Sequence, residues 1–313
     1  MSDKTKIEWA DATWNPVTGC SPISAGCEHC YAKRLAVRFP QIHGQEFDEH
    51  LPDRDYVYDI PFEKIQFHPD RLEIPFHWRK PKKIFVCSMG DLFHKDVSFE
   101  FVNKVMAIAA LNDQHIFMIL TKRPERMLEY FCDYPSCGDD GNIANELTTT
   151  FAYETGIKWD LPGDNYNHIV GVDETYASSQ YVLEENPPVK FPLRNLWLGV
   201  TAENQEMADK RIPLLLQIPA AKRFVSVEPM IGPVDLSYPL NGGPEQNGHG
   251  EWIQTFPPLD WVICGPETGA GARGMNLDWA RSLRDQCVAA SVPFFYKRGE
   301  LDGRLWQQFP VSQ

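Results

Sequence analysis

From Lys83 onward the chain repeats one local pattern, a short apolar run followed by a segment of helical period. The runs KIFVCSM, HIFMILT, NLWLGVT, RFVSVE, LDWVICG and VPFFYK are apolar nearly throughout. Each is therefore expected to be a strand covered on both faces. Between them, Phe99 to Leu111 places Phe101, Val102, Val105, Met106 and Ala109 on one helical face, and Pro124 opens a second helix. Gln205 to Gln217 reads as a third, which Pro213 should distort or end early, and Leu277 to Ala290 as a fourth. Nearer the start, Ala12 to Thr18 reads as a short strand and Tyr31 to Arg38 as a helix stopped by Pro40. Alternation of this kind predicts an α/β fold, a parallel sheet wrapped by helices, and its count suits a partial or complete (β/α) barrel. A doubly wound open sheet is the alternative, but no GxGxxG follows the first strand.

A length of 313 residues allows one large domain or two ordinary ones. We expect a single domain over 1–313 with insertions at about 41–80, 132–190 and 238–257. The first insertion ends in the basic run His77, Trp78, Arg79, Lys80, Lys82, Lys83. That run reads as a solvated turn, the alternative being a phosphate or nucleic-acid contact with Trp78 as a stacking platform. The formal charge of -13 argues against a broad electrostatic grip on nucleic acid. The charge is uneven, for residues 132–190 hold eleven acidic residues and two lysines, which suits a lid or a docking surface for a protein partner. No apolar run approaches the roughly 18 to 20 residues of a membrane span, and the start MSDKTKIEWAD shows no apolar signal segment. A cytoplasmic protein with no membrane partner is expected, its cysteines reduced or bound to metal.

Three of those cysteines, Cys20, Cys27 and Cys30, fall within eleven residues. Gly19, Pro22 and Gly26 break regular structure between them, so the loop can turn its thiols inward as metal ligands. Structural zinc needs four protein ligands, usually as two close pairs, and His29 abuts Cys30 too closely to serve easily as the fourth. An iron–sulfur cubane held by three cysteines leaves one iron open to a ligand that is not protein. Elsewhere, Cys87, Cys264 and Cys287 read as small apolar residues. Cys132, Cys137 and His168 are not expected to form a second metal site, since no second close pair accompanies them.

The segments TWNPVTGC, GCEHCYA, SMGDLFHKDV, LTKRPERM, LGVTAENQ, FVSVEP and GPETGAGARGM resemble, in that order, the phage and prophage family of three-cysteine-motif, radical SAM-like proteins. The resemblance covers most of the chain apart from segments near 40 to 65, 132 to 190 and 238 to 257, although the spacing here is CxxxxxxCxxC rather than CxxxCxxC. It implies a (β/α) barrel of the radical SAM type in which Cys20, Cys27 and Cys30 hold a [4Fe-4S] cluster that binds S-adenosylmethionine. It also implies that Ser88, Gly90 and Asp91 contact the cofactor, with SMGD standing where the superfamily carries GGE.

In such a fold the chemistry lies at the carboxyl ends of the strands. Those ends are polar: Ser88, Gly90 and Asp91; Thr121, Lys122 and Arg123; Thr201, Glu203 and Asn204; Ser226 and Glu228; Glu267 and Thr268; Lys297 and Arg298. Thr201, Glu203, Asn204 and Glu267 join Ser88, Gly90 and Asp91 as candidates for cofactor binding. Glu228, Lys122 and Arg123 are candidates for catalysis or for gripping an anionic group. Helix capping competes as an explanation for Asp91, Glu203 and Asn204, and His94 is either a loop histidine or part of the site. The expected function is a radical S-adenosylmethionine enzyme acting on a nucleotide or nucleic-acid base in modification or repair, reduced by a donor such as flavodoxin or ferredoxin. The alternatives are an iron–sulfur or zinc accessory protein that binds nucleic acid without radical chemistry, and an interaction module of phage defence or counter-defence.

Overall fold

The apolar runs become neighbours in one sheet. The structure is a computed structural model and describes residues 5–44, 60–133, 192–241, 244–246, 252–254 and 257–311. In chain order the strands are β1 (Ala12–Trp14), β2 (Val17–Thr18), β3 (Gln66–Phe67), β4 (Lys83–Val86), β5 (Ile116–Thr121), β6 (Leu196–Thr201), β7 (Lys222–Val227), β8 (Pro244–Gln246), β9 (Trp252–Gln254), β10 (Trp261–Cys264), β11 (Phe294–Leu301) and β12 (Arg304–Gln307). The α-helices are α1 (Tyr31–Arg38), α2 (Phe99–Leu111), α3 (Pro124–Leu128), α4 (Gln205–Gln217), α5 (Ser237–Leu240) and α6 (Leu277–Ala289).

The main sheet has the order β1-β4-β5-β6-β7-β10-β11-β12. Every pairing from β1 to β11 is parallel, and β12 returns antiparallel. Strand order thus follows chain order without reversal, unlike a doubly wound sheet. Side chains alternate between two cores. Ile84, Val86, Ile119, Leu198, Val225 and Val262 share one with Val102, Ile212 and Leu283 of α2, α4 and α6. Phe85, Met118, Trp197, Phe224, Trp261 and Phe295 face the other way into a second core that holds no residue of those helices. The three long helices therefore cover one face only.

The second face is curled. Trp9 lies 4.6 Å from the ring of Phe85 on β4 and 6.2 Å from that of Trp261 on β10. Four strand steps of a flat sheet would separate those strands by about 19 Å. Phe309 adds a further ring 5.2 Å from Trp261. Among the described residues β1 and β12 remain the sheet's edges, and no hydrogen-bonded ladder closes it into a barrel. Glu8 instead accepts from the Arg298 backbone N–H, tying the N-terminal segment to β11.

Four expectations are corrected here. Ala12 to Thr18 is two strands: after Pro16, β2 leaves the main sheet to pair with β3. Pro213 does not end α4, which continues to Gln217, because the proline sits on the exposed side, where the carbonyl it orphans meets water. Trp78 is buried, packed near His115 and Lys82, and so offers no stacking platform. β12 follows the strand expected to be last, reached through Asp302 and Gly303 in the left-handed region. The segment 132–190, including the question of Cys137 and His168, lies almost wholly outside the described residues.

Beneath the cysteine loop, Thr18 Oγ1 stands 2.9 Å from His43 Nδ1 and 2.8 Å from His68 Nε2. His43 Nε2 faces the Pro61 carbonyl at 3.2 Å. Burial, aided by Arg71, pushes the His68 pKa down from 6.5 to about 4. A depressed histidine adds stability that is fully present above pH 6.5 and lost as the unfolded chain takes up protons below it. In denaturant titrations the native protein is expected to lose about 2 kcal/mol more between pH 7.5 and pH 5 than His68→Gln does, because the other depressed histidines, His43, His94 and His115, contribute to both proteins. An equal loss in both proteins would refute this.

Candidate functional site

The cysteine loop is held in place by its backbone before any side chain acts. Gly19 has φ +97°, and a Cβ there would lie 2.7 Å from the Lys64 carbonyl oxygen, so only glycine fits. Its N–H donates to Met89 O at 2.9 Å, and Cys20 N–H to Phe62 O at 3.0 Å. Gly19 and Gly90 form a parallel bridge, and a Cβ on Gly90 would meet Gly19 O at 3.0 Å. Gly90 is thus a place of close backbone approach. The loop then makes a short turn at Ala25–Cys27, and α1 starts directly after Cys30. Cys20, Cys27 and Cys30 are half-exposed and free of disulfides. Among the described residues no group of three or more His, Cys, Asp or Glu side chains is gathered as a site for a single metal ion.

The strand ends converge on this loop. After β4, Asp91 is buried and accepts from Phe93 N–H at 3.0 Å, Thr121 Oγ1 at 2.7 Å, Lys122 N–H at 3.3 Å and Arg123 Nη1 at 2.9 Å. Arg123 extends the chain of contacts. It donates to Ser21 O at 2.8 Å and Ser21 Oγ at 3.2 Å, and to Cys20 Sγ at 3.3 Å. His94 joins from below: its Nδ1 accepts from Asp96 N–H at 3.2 Å, so Nε2 carries the proton and donates to Ser21 Oγ at 2.8 Å. Ser88 Oγ donates to Asn15 Oδ1 at 3.1 Å, while its carbonyl accepts from Tyr31 Oη at 2.5 Å. Asp91 caps no helix, because Ser98 caps α2.

After β6, Glu203 is fully buried and accepts from Gly26 N–H at 3.1 Å and Arg211 Nη1 at 2.8 Å. Burial pushes the Glu203 carboxyl up, but the Ser24 hydrogen bond, Arg211 and Lys122 outweigh it and hold it below its ordinary range. Thr201 is buried and lends its carbonyl to Arg211 at 2.7 Å. Asn204 is the N-cap of α4, accepting from Met207 N–H at 3.0 Å. After β7, Glu228 pairs with Lys297 in the middle of β11. After β10, Glu267 grips Arg273 at 2.6 Å and is held below its ordinary pKa by it. Arg273 in turn donates to Ala25 O at 2.9 Å and Glu28 at 3.1 Å. Arg34 of α1 donates to the carbonyls of Thr268 and Ala270. The glycine-rich segment therefore lies strapped against the cysteine loop.

Lys122 differs from these neighbours. Its ammonium makes no hydrogen bond or ion pair among the described residues, yet it acts electrostatically on Cys27 and Glu203. Burial alone would raise the Cys27 thiol, but Lys122 and hydrogen bonds from Ile23 and Ser24 bring it below its ordinary value. Burial and the Asp91 carboxylate push Cys20 up to about 11 against the pull of Arg123. Cys27 is thus the readier thiolate, and metal binding must displace the Cys20 proton.

The expected site residues are thereby placed. Most gather around the loop, and Asn204 serves its helix. Asn15, Ser21, Tyr31, Arg34 and Arg273 were not anticipated; the one local signal for any of them is that Arg273 is a charge in an otherwise small-residue loop. The basic run at His77 to Lys83 leads into the start of β4, at the opposite end of the strand from the thiols. No helix among the described residues is long and apolar enough to cross a membrane. No curated protein matches the chain, and no solved structure does. Residues 4–310, nearly the whole chain, match the model of the family described as Protein of unknown function (DUF5131), and the chain belongs to that family.

Proposed function

We propose that this protein is a radical S-adenosylmethionine enzyme acting on a nucleotide or nucleic-acid base. One observation carries the reading: three disulfide-free thiols share a loop that residues following the parallel strands β5, β6 and β10 hold. The donor set suits a [4Fe-4S] cluster with one open position, because Cys20, Cys27 and Cys30 supply three free thiols from one loop. A cluster takes its cysteines at separate corners, so they need not converge as they would around one ion. Sequential strand order with helices on one face supports a partial (β/α) barrel of the radical SAM type.

When bound, the cluster and S-adenosylmethionine supply one-electron reductive cleavage and hydrogen-atom abstraction. The chain's residues divide the remaining work. Cys20, Cys27 and Cys30 hold the cluster, while Asp91 and Arg123 fix the Cys20 side of the loop and Glu203 fixes Gly26. Lys122, whose ammonium has no partner among the described residues, is offered to a carboxylate or phosphate. Glu228 and Lys297 offer opposite charges to a zwitterionic or polar group at the mouth.

The test is anaerobic purification, iron and sulfide analysis, then dithionite reduction with S-adenosylmethionine and a search for 5'-deoxyadenosine. About four irons per chain are expected, with product formed by the native protein and none by Cys27→Ala. Bound zinc, or a cluster that never cleaves the cofactor, would instead favour the accessory-protein alternative.

A further inference from the structure

The Glu228–Lys297 pair stands on the inner face of the sheet. On β7, Val225 and Val227 pack toward the helices and Phe224 toward the second core, so Glu228, four residues after Phe224, points inward with it. On β11, Phe295 points inward and Lys297 lies two residues on. Between them β10 ends at Cys264, whose register partners are Val227 and Tyr296. The next row therefore sets Gly265 between Glu228 and Lys297. A Cβ there would stand 3.2 Å from Lys297 Cβ and 3.5 Å from Glu228 Cδ. Because residue 265 has no side chain, the two charges meet across bare backbone.

Holding the strands together does not call for this pair. Parallel ladders already join β7, β10 and β11, and desolvation offsets much of the attraction within a partly buried ion pair. Nor is the pair sealed off, for the side chains of Lys297 and Glu228 are 13% and 23% exposed. Tyr31 links it to the cysteine loop. Burial raises the pKa of the Tyr31 hydroxyl, and Cys30 and Glu228 raise it further, so the hydroxyl lies within electrostatic reach of both. The residue as a whole is 42% exposed, which leaves an aromatic face on which a base can stack.

Hydrogen-bond chemistry then selects the base. A carboxylate has two oxygens with about four acceptor sites, and an ammonium has three donors. Their mutual bond uses one of each, so the pair presents two adjacent acceptor oxygens with N–H donors beside one of them. Among the common bases guanine has the complementary edge: two neighbouring donors, N1–H and N2–H, beside the acceptor O6. Adenine and cytosine set a ring-nitrogen acceptor next to their amino group, and uracil flanks its one donor with two carbonyls. Each would turn a lone pair toward the carboxylate. A guanidinium would satisfy Glu228 but would face the ammonium of Lys297. We propose that Glu228 and Lys297 read the Watson–Crick edge of a guanine base, Glu228 accepting from N1–H and N2–H and Lys297 donating to O6. The proposal rests on the nucleotide part of the reading above and narrows it to one base.

The test is isothermal titration calorimetry of the anaerobically purified protein with GMP, AMP, CMP, UMP and IMP, the last lacking the 2-amino group of GMP. All five carry the same phosphate, so its repulsion by a chain of charge -13 cancels in their ratios. GMP is expected to bind at least about tenfold more tightly than AMP, CMP or UMP, and about tenfold more tightly than IMP. Glu228→Gln, nearly unchanged in shape, should lose the preference for GMP, and Lys297→Met should weaken GMP and IMP alike. Equal binding of the five nucleotides, no measurable binding of GMP, IMP bound as tightly as GMP, or an undiminished preference in Glu228→Gln overturns the proposal. The IMP comparison uses the native protein and so holds even where a variant fails to fold. Binding requires no cleavage of S-adenosylmethionine, which separates the two readings. A guanine preference in protein that makes no 5'-deoxyadenosine keeps this site and fails the radical enzyme; 5'-deoxyadenosine from protein without the preference does the reverse.

Discussion

Asp91→Ala is expected to lower the melting temperature and, on the proposed cluster reading of the cysteines, the iron content of the reconstituted protein. The carboxylate is buried, and four donors converge on it from the ends of β4 and β5. Alanine would leave the Arg123 guanidinium, whose side chain is only 12% exposed, without its counter-charge. Breaking a buried pair in this way costs about 3–5 kcal/mol. At about 2–4 °C per kcal/mol for chains of 150–250 residues, the melting temperature should fall by roughly 10 °C. The second effect follows from what Arg123 does next. Its donors also hold Ser21 and Cys20, so a guanidinium turned out to water releases the first thiol, and iron should fall below half the native content. Asp91→Asn keeps an acceptor oxygen but loses the charge, and should fall between the two. Exposed Asp96→Ala should change neither quantity. A melting temperature for Asp91→Ala within 2 °C of the native value would show that Arg123 finds another partner, and the positioning argument would fail.

The same residue shows how far the chain's chemistry was legible before its structure. That Asp91 lies at a strand's carboxyl end followed from the apolar run before it, because period and composition are local properties. Its role did not. Helix capping, cofactor contact and ion pairing place the same carboxylate at the same strand end, and the ion pair with Arg123, 32 positions later, leaves no local sign in the sequence. Asn204 went the other way: capping, the local explanation, is what the structure forms. Helix boundaries were read closely for α1, α2 and α4, whose breakers and caps lie beside them. The curl of the sheet was not legible, since it depends on Trp9 meeting Phe85 and Trp261 across four strand steps. Nor were the straps on the cysteine loop. Arg34 and Arg273 reach partners more than 230 positions away in the chain, and an arginine carries no local sign of its acceptor.

Gly199→Ala should be comparably damaging, for a purely steric reason. Gly199 lies in the middle of β6, where glycine is weakly favoured and usually marks a close approach. Its register partner on β7 is Phe224. A Cβ on residue 199 would stand 2.5 Å from Phe224 Cζ and 2.6 Å from both Cε atoms, so the ring would have to leave. It has nowhere to go, being fully buried with Trp261 at 5.7 Å and Trp9 at 6.4 Å. Overpacking a tight core costs about 1–3 kcal/mol and occasionally more, and three ring atoms in collision put this variant at the upper end. The damage should extend to the site, because β6 runs directly into Thr201 and Glu203; a displaced strand draws Glu203 away from Gly26, and iron incorporation should fall with stability. The decisive experiment is a double-mutant cycle. Phe224→Leu alone loses core contacts, at about 1–2 kcal/mol. Combined with Gly199→Ala it vacates the space that the new methyl needs, so the double variant should be more stable than Gly199→Ala alone, with a coupling above about 1 kcal/mol. Additive losses would mean that the ring had already found another position, and that the cleft at Gly199 is not what seats Phe224 in the interior.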